Sequence, residues 1–351
     1  LQQLGYFFIV FIAAPLMIVT GPVMSPAVVG RFPWYAKLFG GRQAARSLHL
    51  IGMFIYLGFA IVHVGLVFIV HAPHNLTHIV FGYYDPSRVG QAYVTVIGTI
   101  VVVVALWIAM SYWTLTDTRR SQRILWDATR GIRSLTVDRF SSQQAAKKPW
   151  TEKDISTFHW VNTRTPSREE SPEYQELAAN DFADFRLEVG GMVSAPASFS
   201  LAELKAISSQ SQITMHTCMQ GWTGIAKWTG IRVRDLLAQV GQIDPEAGWV
   251  MFESFGMAQH MHDGRPVEPY YTCLPLDMAL EDDTILAWGR NDAPLSGMFG
   301  APLRLRCETS HGYKMIKWVR SVTLIRHYSE VGDGMGGTRE DSGYQDVNAR
   351  I

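Results

Sequence analysis

The residues best suited to chemistry lie in Thr214-Met-His-Thr-Cys218-Met-Gln-Gly-Trp222, where one cysteine sits in a run of Gly, Thr and Trp that continues to Gly230. A thiolate here is a candidate nucleophile, redox partner or metal ligand. His216 lies two residues before Cys218 and Lys227 nine after it, and either cation could favour the thiolate. The competing reading is an inert buried thiol. Cys273 and Cys307 complete the cysteine inventory; no two cysteines form a CxxC pair, so neither a zinc knuckle nor a thioredoxin-type site is encoded, and no disulfide framework is expected. Both read as strand or core residues, in Tyr271-Thr-Cys-Leu-Pro275 and Arg304-Leu-Arg-Cys-Glu308.

A second set is His49 and His63, in an apolar stretch without charge. Fourteen residues at about 100° each return to within about 40° of the same helix face, about 21 Å along it. Two imidazoles on one face suit two haem groups, one toward each leaflet, with Gly52 leaving room for a porphyrin. The alternative is histidines that only hydrogen-bond to neighbours, although ionisable groups in lipid are rare and usually functional. The other apolar stretches contain no histidine, so a second axial ligand must come from a helix upstream or from His71, His74 or His78, which otherwise read as surface loop residues.

The elements that carry these groups follow from charge distribution. The chain of 351 residues has 31 basic and 31 acidic side chains, a balance that gives no reason to expect a nucleic-acid partner. Residues 1–30, 47–84 and 89–116 contain no Asp, Glu, Lys or Arg. Crossing a bilayer takes about 20 apolar residues, and the stretches 4–24, 47–70 and 93–116 meet that requirement. Three transmembrane helices are expected, the first kinked at Pro15 and ended by Gly21-Pro22.

Leu1 opens inside an apolar run, so the true N-terminus and one more helix are expected upstream. Arg31, Lys37, Arg42 and Arg46 in the first loop, and Arg119, Arg120, Arg123, Arg130 and Arg133 after the third helix, place both regions on the cytoplasmic side by the positive-inside rule. Loop 71–92 then faces the opposite side. The organisation expected is a helical bundle over 1–118, a basic juxtamembrane connector over 119–154 with a polar linker at 141–149, a globular region over 155–328 and a C-terminal tail over 329–351. Short alternating segments such as Phe185-Arg-Leu-Glu-Val189 and Trp318-Val-Arg-Ser-Val-Thr-Leu-Ile325, with helical stretches near 200–208 and 232–240, make the globular region α+β and β-rich.

Three separated motifs decide among the readings of Cys218. Cys218-Met-Gln-Gly-Trp222, Trp228-Thr-Gly-Ile-Arg-Val-Arg-Asp-Leu-Leu237, and Gly300-Ala-Pro-Leu-Arg-Leu305 followed by His311-Gly-Tyr-Lys-Met-Ile-Lys317-Trp-Val resemble, in order, the molybdopterin-binding domain of the sulfite oxidase superfamily. The likeness covers about 155–328 and is strongest to the bacterial branch that includes the methionine sulfoxide reductase catalytic subunit. It implies that Cys218 is the thiolate ligand of molybdenum and the catalytic residue, a soft donor suited to that metal. It further implies that Arg304 holds the pterin phosphate and that Met315, Ile316 and Lys317 contact phosphate and pterin. Ser254 falls where the reductase branch has Thr, and Asn162 matches an early pterin-contacting Asn. A guanidinium fork and an ammonium point charge are appropriate phosphate donors.

There are two departures. Phe299 replaces the Asn of the reductase branch, and Met-Gln-Gly-Trp replaces the segment ending in paired arginines found after the cysteine of sulfite oxidases proper, which argues against sulfite. The helical part resembles the diheme cytochrome b subunits of formate dehydrogenases and hydrogenases. Together these likenesses imply a bacterial inner-membrane oxidoreductase with Mo-molybdopterin and haem b, its soluble domain cytoplasmic. It would reduce a small S-oxide or N-oxide with electrons from quinol, in contact with membrane lipid and with redox partner subunits. Sulfite-oxidase-like oxidation delivering electrons to quinone, and a catalytically inactive binding module on the membrane, are the alternatives; a third is helices that serve as a plain anchor without haem.

Overall fold

The structure is a computed structural model describing residues 2–25, 28–29, 32–117, 120–121, 124–125, 128, 132, 150–257 and 268–342. Arg31, Arg119, Arg123, Arg130 and Arg133, the polar linker 141–149 and the end of the tail, 343–351, lie outside the described residues. The chain divides into two compact units, Leu1–Arg133 and Ser134–Ile351.

In the first unit, three helices among the described residues are long and apolar enough to cross a membrane: Gln3–Met24, Arg42–Ile69 and Pro86–Thr116. Where a kink was expected at Pro15, a π turn over Ile9–Ala13 is followed by an α-helix over Ala14–Thr20 and a 3₁₀ turn at Pro22–Met24. A proline lacks the N–H that would pair with the carbonyl four residues back, and a widened turn accommodates the loss. The region 71–92 is not a plain loop. Pro73 near the start and Gly82 in the left-handed conformation at the end bracket a helix over Ala72–Phe81, on which the His74 and His78 rings lie 4.5 Å apart.

The second unit is built on two sheets. The first has the order β2-β1-β10-β5-β6, with β1 (Arg186–Gly191), β2 (Ala197–Ser200), β5 (Trp249–Met257), β6 (Pro269–Pro275) and β10 (Val319–Ile325). β1 and β10 run parallel and the other neighbours antiparallel. The second sheet contains β3 (Gln210–Thr217), β4 (Thr223–Arg232), β7 (Ile285–Arg290) and β8 (Ala293–Pro294) in that order, with β9 (Arg304–Arg306) also paired to β7. Alternation along β4 buries Ala226 and Trp228, as expected for a strand with one face in the core. The helical stretches expected in this unit are Leu201–Ile207, started by a Ser200/Glu203 capping box, and Val233–Leu237.

Candidate functional site

Cys218 stands at the tip of the β3–β4 hairpin. Its carbonyl accepts from Gly221 N at 3.0 Å and its own N–H donates to Trp222 O at 3.0 Å. Gly221 has φ +99°, a left-handed conformation that glycine adopts without steric cost. This geometry holds the cysteine at the end of two paired strands, and the residue is only 5% exposed. Asn162 Nδ2 donates to Cys218 Sγ at 3.4 Å and Gln220 N at 3.5 Å, the kind of contacts a thiolate accepts.

The two C-terminal motifs run side by side beneath it. Leu305 N donates to Ile316 O, Val319 N to Leu303 O and Trp318 N to Gly300 O, at 2.9, 2.9 and 3.1 Å. Lys317 Nζ reaches out of this layer to donate to the carbonyls of Asn162, Thr163 and Met298 at 2.7, 2.9 and 3.0 Å. Lys317 thereby fixes the backbone of the residue whose side chain touches Cys218. One cleft is lined by Asn162, Cys218, Ser254, Arg304, Met315, Ile316 and Lys317 together, so all the residues that the resemblance assigned to the pterin and the metal are gathered in one place. Ser254 has a structural part within it: its hydroxyl donates to Lys317 O at 2.7 Å and accepts from Gly256 N at 2.8 Å.

The electrostatics suit an anion. Burial, and secondarily Arg306, lowers the Arg304 guanidinium to about 9. Burial and then Arg304 lower Lys317 to about 7, while its three carbonyl acceptors oppose that pull. Arg304 Nη1 donates to Phe299 O at 3.2 Å, but its Nε is buried without a hydrogen-bond partner. Cations held at this cost, one with an unused donor, fit a phosphate group.

Several neighbours were not legible as site residues. His216 is not the cation expected beside the thiol: burial first, then Arg306, holds it well below its ordinary range, and Arg306 Nη1 lies 2.9 Å from its Nδ1. Nδ1 is therefore the acceptor, and the imidazole is neutral. Lys227 is likewise engaged elsewhere, paired with Asp292 at 2.8 Å and Glu152 at 3.4 Å. Around Trp228 stand Arg306, Arg304 and Arg290, at 4.4, 5.2 and 5.9 Å from a ring centroid. Arg306 is matched by Glu308 through contacts of 2.9 and 2.7 Å. Phe299 offers only a ring where a polar side chain was expected, and that ring carries Arg290 at 4.0 Å. Cys273 and Cys307 are fully buried, as expected, and burial pushes each thiol up to about 12.

In the first unit, Thr20 Oγ1 lies 2.9 Å from His49 Nδ1 and Tyr6 Oη 2.9 Å from His63 Nδ1. Thr20 donates its own proton to Leu16 O at 2.6 Å, so in the Thr20–His49 contact the donor is His49 Nδ1. Gly52 does not face an open slot. A Cβ there would lie 2.4 Å from Met17 Sδ, so the first span fills the space expected for a porphyrin. Among the described residues no group of three His, Cys, Asp or Glu forms a metal cluster.

Residues 174–331 match the oxidoreductase molybdopterin binding domain. That segment is a molybdopterin-binding oxidoreductase domain. The chain is 33% identical over 169 residues to the putative protein-methionine-sulfoxide reductase subunit YedZ1 of Azospira oryzae, covering 48% of this chain and 57% of that one. It is 32% identical over 148 residues to the protein-methionine-sulfoxide reductase catalytic subunit MsrP of Xanthomonas axonopodis, covering 41% and 46% respectively. The chain thus spans about half the length of these curated relatives. Sulfane dehydrogenase SoxCD of Paracoccus pantotrophus matches with 23% identity and a TM-score of 0.35, over 41% of this chain and 39% of that one. Asn162 lies outside the matched segment, while Cys218, Ser254, Arg304, Met315, Ile316 and Lys317 lie inside it.

Proposed function

We propose that the molybdopterin-binding domain reduces a small S-oxide or N-oxide, with Cys218 as the molybdenum ligand. The observation that carries this reading is the convergence of Cys218, Asn162, Arg304 and Lys317 on one cleft. The names of two relatives, both methionine-sulfoxide reductases, favour a sulfoxide. For that substrate the overall reaction takes two electrons and two protons, breaks the S–O bond and releases the sulfide and water.

When bound, Mo-molybdopterin supplies the oxygen-atom transfer and redox chemistry. The chain's own residues supply position. Cys218 presents its sulfur at a hairpin tip, Asn162 and Gln220 N orient that sulfur, and Arg304 with Lys317 receives the phosphate. Met315 and Ile316 contribute apolar surface to the lining of the same cleft. His216 accepts from Arg306 through Nδ1 and so forms a fixed wall of the cleft.

The finer reading extends to electron supply. The domain layout of 1–118, 119–154, 155–328 and 329–351 would attach the enzyme to the bacterial inner membrane with the catalytic domain cytoplasmic, in contact with lipid and redox partner subunits. Quinol would be the reductant, feeding electrons through b-type haem at His49 and His63. Hydroxyl contacts to both Nδ1 atoms support ligation through Nε2, since an imidazole fixed at one nitrogen presents the other in a set direction. Met17 on Gly52 restricts a porphyrin to another sector of the second span. A reduced-minus-oxidised spectrum of the full chain tests this part: a b-type band supports it, and its absence leaves the spans as an anchor.

Replacing Cys218 with Ser tests the central assignment. Dimethyl sulfoxide reduction should fall by at least a hundredfold, while far-UV circular dichroism stays that of the parent. Retention of activity would remove Cys218 from the ligand role.

A further inference from the structure

The segment following β10, expected as a C-terminal tail, returns to the cleft. A 3₁₀ turn at Tyr328–Glu330 leads to a short helix at Thr338–Asp341, and anchors fix that helix against β6. Tyr271 N donates to Thr338 Oγ1 at 2.9 Å, and the Tyr271 hydroxyl donates to the Asp341 carboxylate. Cys273 N donates to Gly336 O at 2.9 Å. Lys314 Nζ donates to Cys273 O at 3.0 Å and Gly336 O at 3.2 Å, and forms an ion pair with Glu340. Lys314 and Glu340 are 0% and 2% exposed, so this pair carries a desolvation cost that only good geometry offsets.

Between these fixed residues stands Arg339, which lines the same cleft as Cys218 with its guanidinium 5.9 Å from the Tyr270 ring centroid. Tyr270 also lines the cleft, and its hydroxyl donates to Tyr313 O at 3.2 Å. The cleft therefore has three cationic lining residues, Arg304, Lys317 and Arg339, and no carboxylate among its described lining residues. Arg304 and Lys317 are assigned to the phosphate of the pterin. Arg339 lies outside that layer and outside the matched domain, which ends at residue 331.

We infer that Arg339 is a specificity residue that receives a carboxylate carried by the substrate close to its sulfoxide. The inference rests on the sulfoxide-reductase reading and names the substrate class within it. A guanidinium fork pairs two donors with the two oxygens of a carboxylate, a geometry that an ammonium cannot reproduce. The strap sets where that fork sits, because the side chains on both sides of Arg339 are held.

The test uses the full-length holoenzyme with reduced viologen as electron donor and two sulfoxides, methylsulfinylacetate with a carboxylate and dimethyl sulfoxide without one. In Arg339→Gln, the preference for methylsulfinylacetate, expressed as a ratio of kcat/KM values, should fall at least tenfold, mostly through KM, and Arg339→Lys should recover part of it. Equal changes on both substrates, or none, overturn the inference. Binding of the unreactive sulfide methylthioacetate, followed by quenching of the cleft tryptophans Trp160, Trp222 and Trp318, provides a readout free of turnover. It should weaken at least tenfold in Arg339→Gln. Wild-type enzyme that binds methylthioacetate through Arg339 but reduces neither sulfoxide would sink the sulfoxide-reductase reading and keep the anion site. Dimethyl sulfoxide reduction with binding indifferent to Arg339 would do the reverse.

Discussion

The two compact units handle polar groups in opposite ways. Among the described residues of the first, the spans bury small side chains such as Ala13, Ala45 and Ala92, and turn large apolar ones outward, with Ile69 83% and Leu115 80% exposed. Small residues let helix backbones approach where lipid offers no hydrophobic drive for association. The second unit buries Trp228, Arg306 and Lys314 completely and matches two buried cations with Glu308 and Glu340. The polar contacts described in the first unit include the hydroxyl–imidazole pairs Thr20–His49 and Tyr6–His63 and the donation of Arg42 to Met24 O. The second spends buried charge to fix a cleft, and charge should be where it is most fragile.

The largest effect should follow from breaking the Arg306–Glu308 pair. Glu308→Gln leaves a buried guanidinium without its counter-charge, a change that costs about 3–5 kcal/mol. Urea unfolding followed by tryptophan fluorescence of the second unit should show it, and a loss below about 1 kcal/mol would mean that the pair is not a structural tie. The expected size reflects the position of Arg306 over Trp228 and against His216, since its displacement disturbs the floor of the cleft.

The matching change in the first unit should be milder. Gly52→Ala drives a Cβ toward Met17 Sδ, but Met17 is flexible and can swing aside, so roughly 1 kcal/mol is expected. A thermal melt of the detergent-solubilised chain measures the loss. A b-type absorbance that vanishes in this variant would restore the porphyrin to the Gly52 face and sink the packing described for Met17.

The same contrast explains what could be read from sequence. The three long apolar helices were legible because a stretch without charge is a one-dimensional signal, whereas the hairpin turn that carries Cys218 depends on the pairing of two strands and was not read. The helix at 72–81 was missed, although Pro73 and Gly82 bracket it, because its histidines suggested a surface loop. The cluster around Trp228 joins residues 216, 228, 290, 304 and 306, which the register of β3, β4, β7 and β9 brings together, and His159, which packs on it from the segment before the sheets. His216 and Lys227 show the corresponding error, since proximity in sequence suggested cations for the thiol that burial and ion pairing remove. Arg339 was hidden for a further reason: a polar, glycine-rich tail gives no hint of the buried Lys314–Glu340 tie that returns it to the cleft.

The smallest effect, and the most diagnostic of buried polarity, concerns acid. Burial, then Arg304, lowers His159 to about 3, and its ring packs against His216, Trp222 and Phe299. An unfolded histidine titrates near 6.5, so between about pH 6.5 and 3 the unfolded chain binds a proton that the folded chain refuses. Stability must then fall as pH drops through that window and be unaffected by this group above it. The slope is at most about 1.4 kcal/mol per pH unit for one histidine. Replacement of His159 by Gln should flatten the urea midpoint between pH 6 and 4 relative to the parent. An unchanged slope in His159→Gln would mean that the imidazole accepts its proton in place, and that burial and the three guanidiniums near Trp228 do not govern its charge.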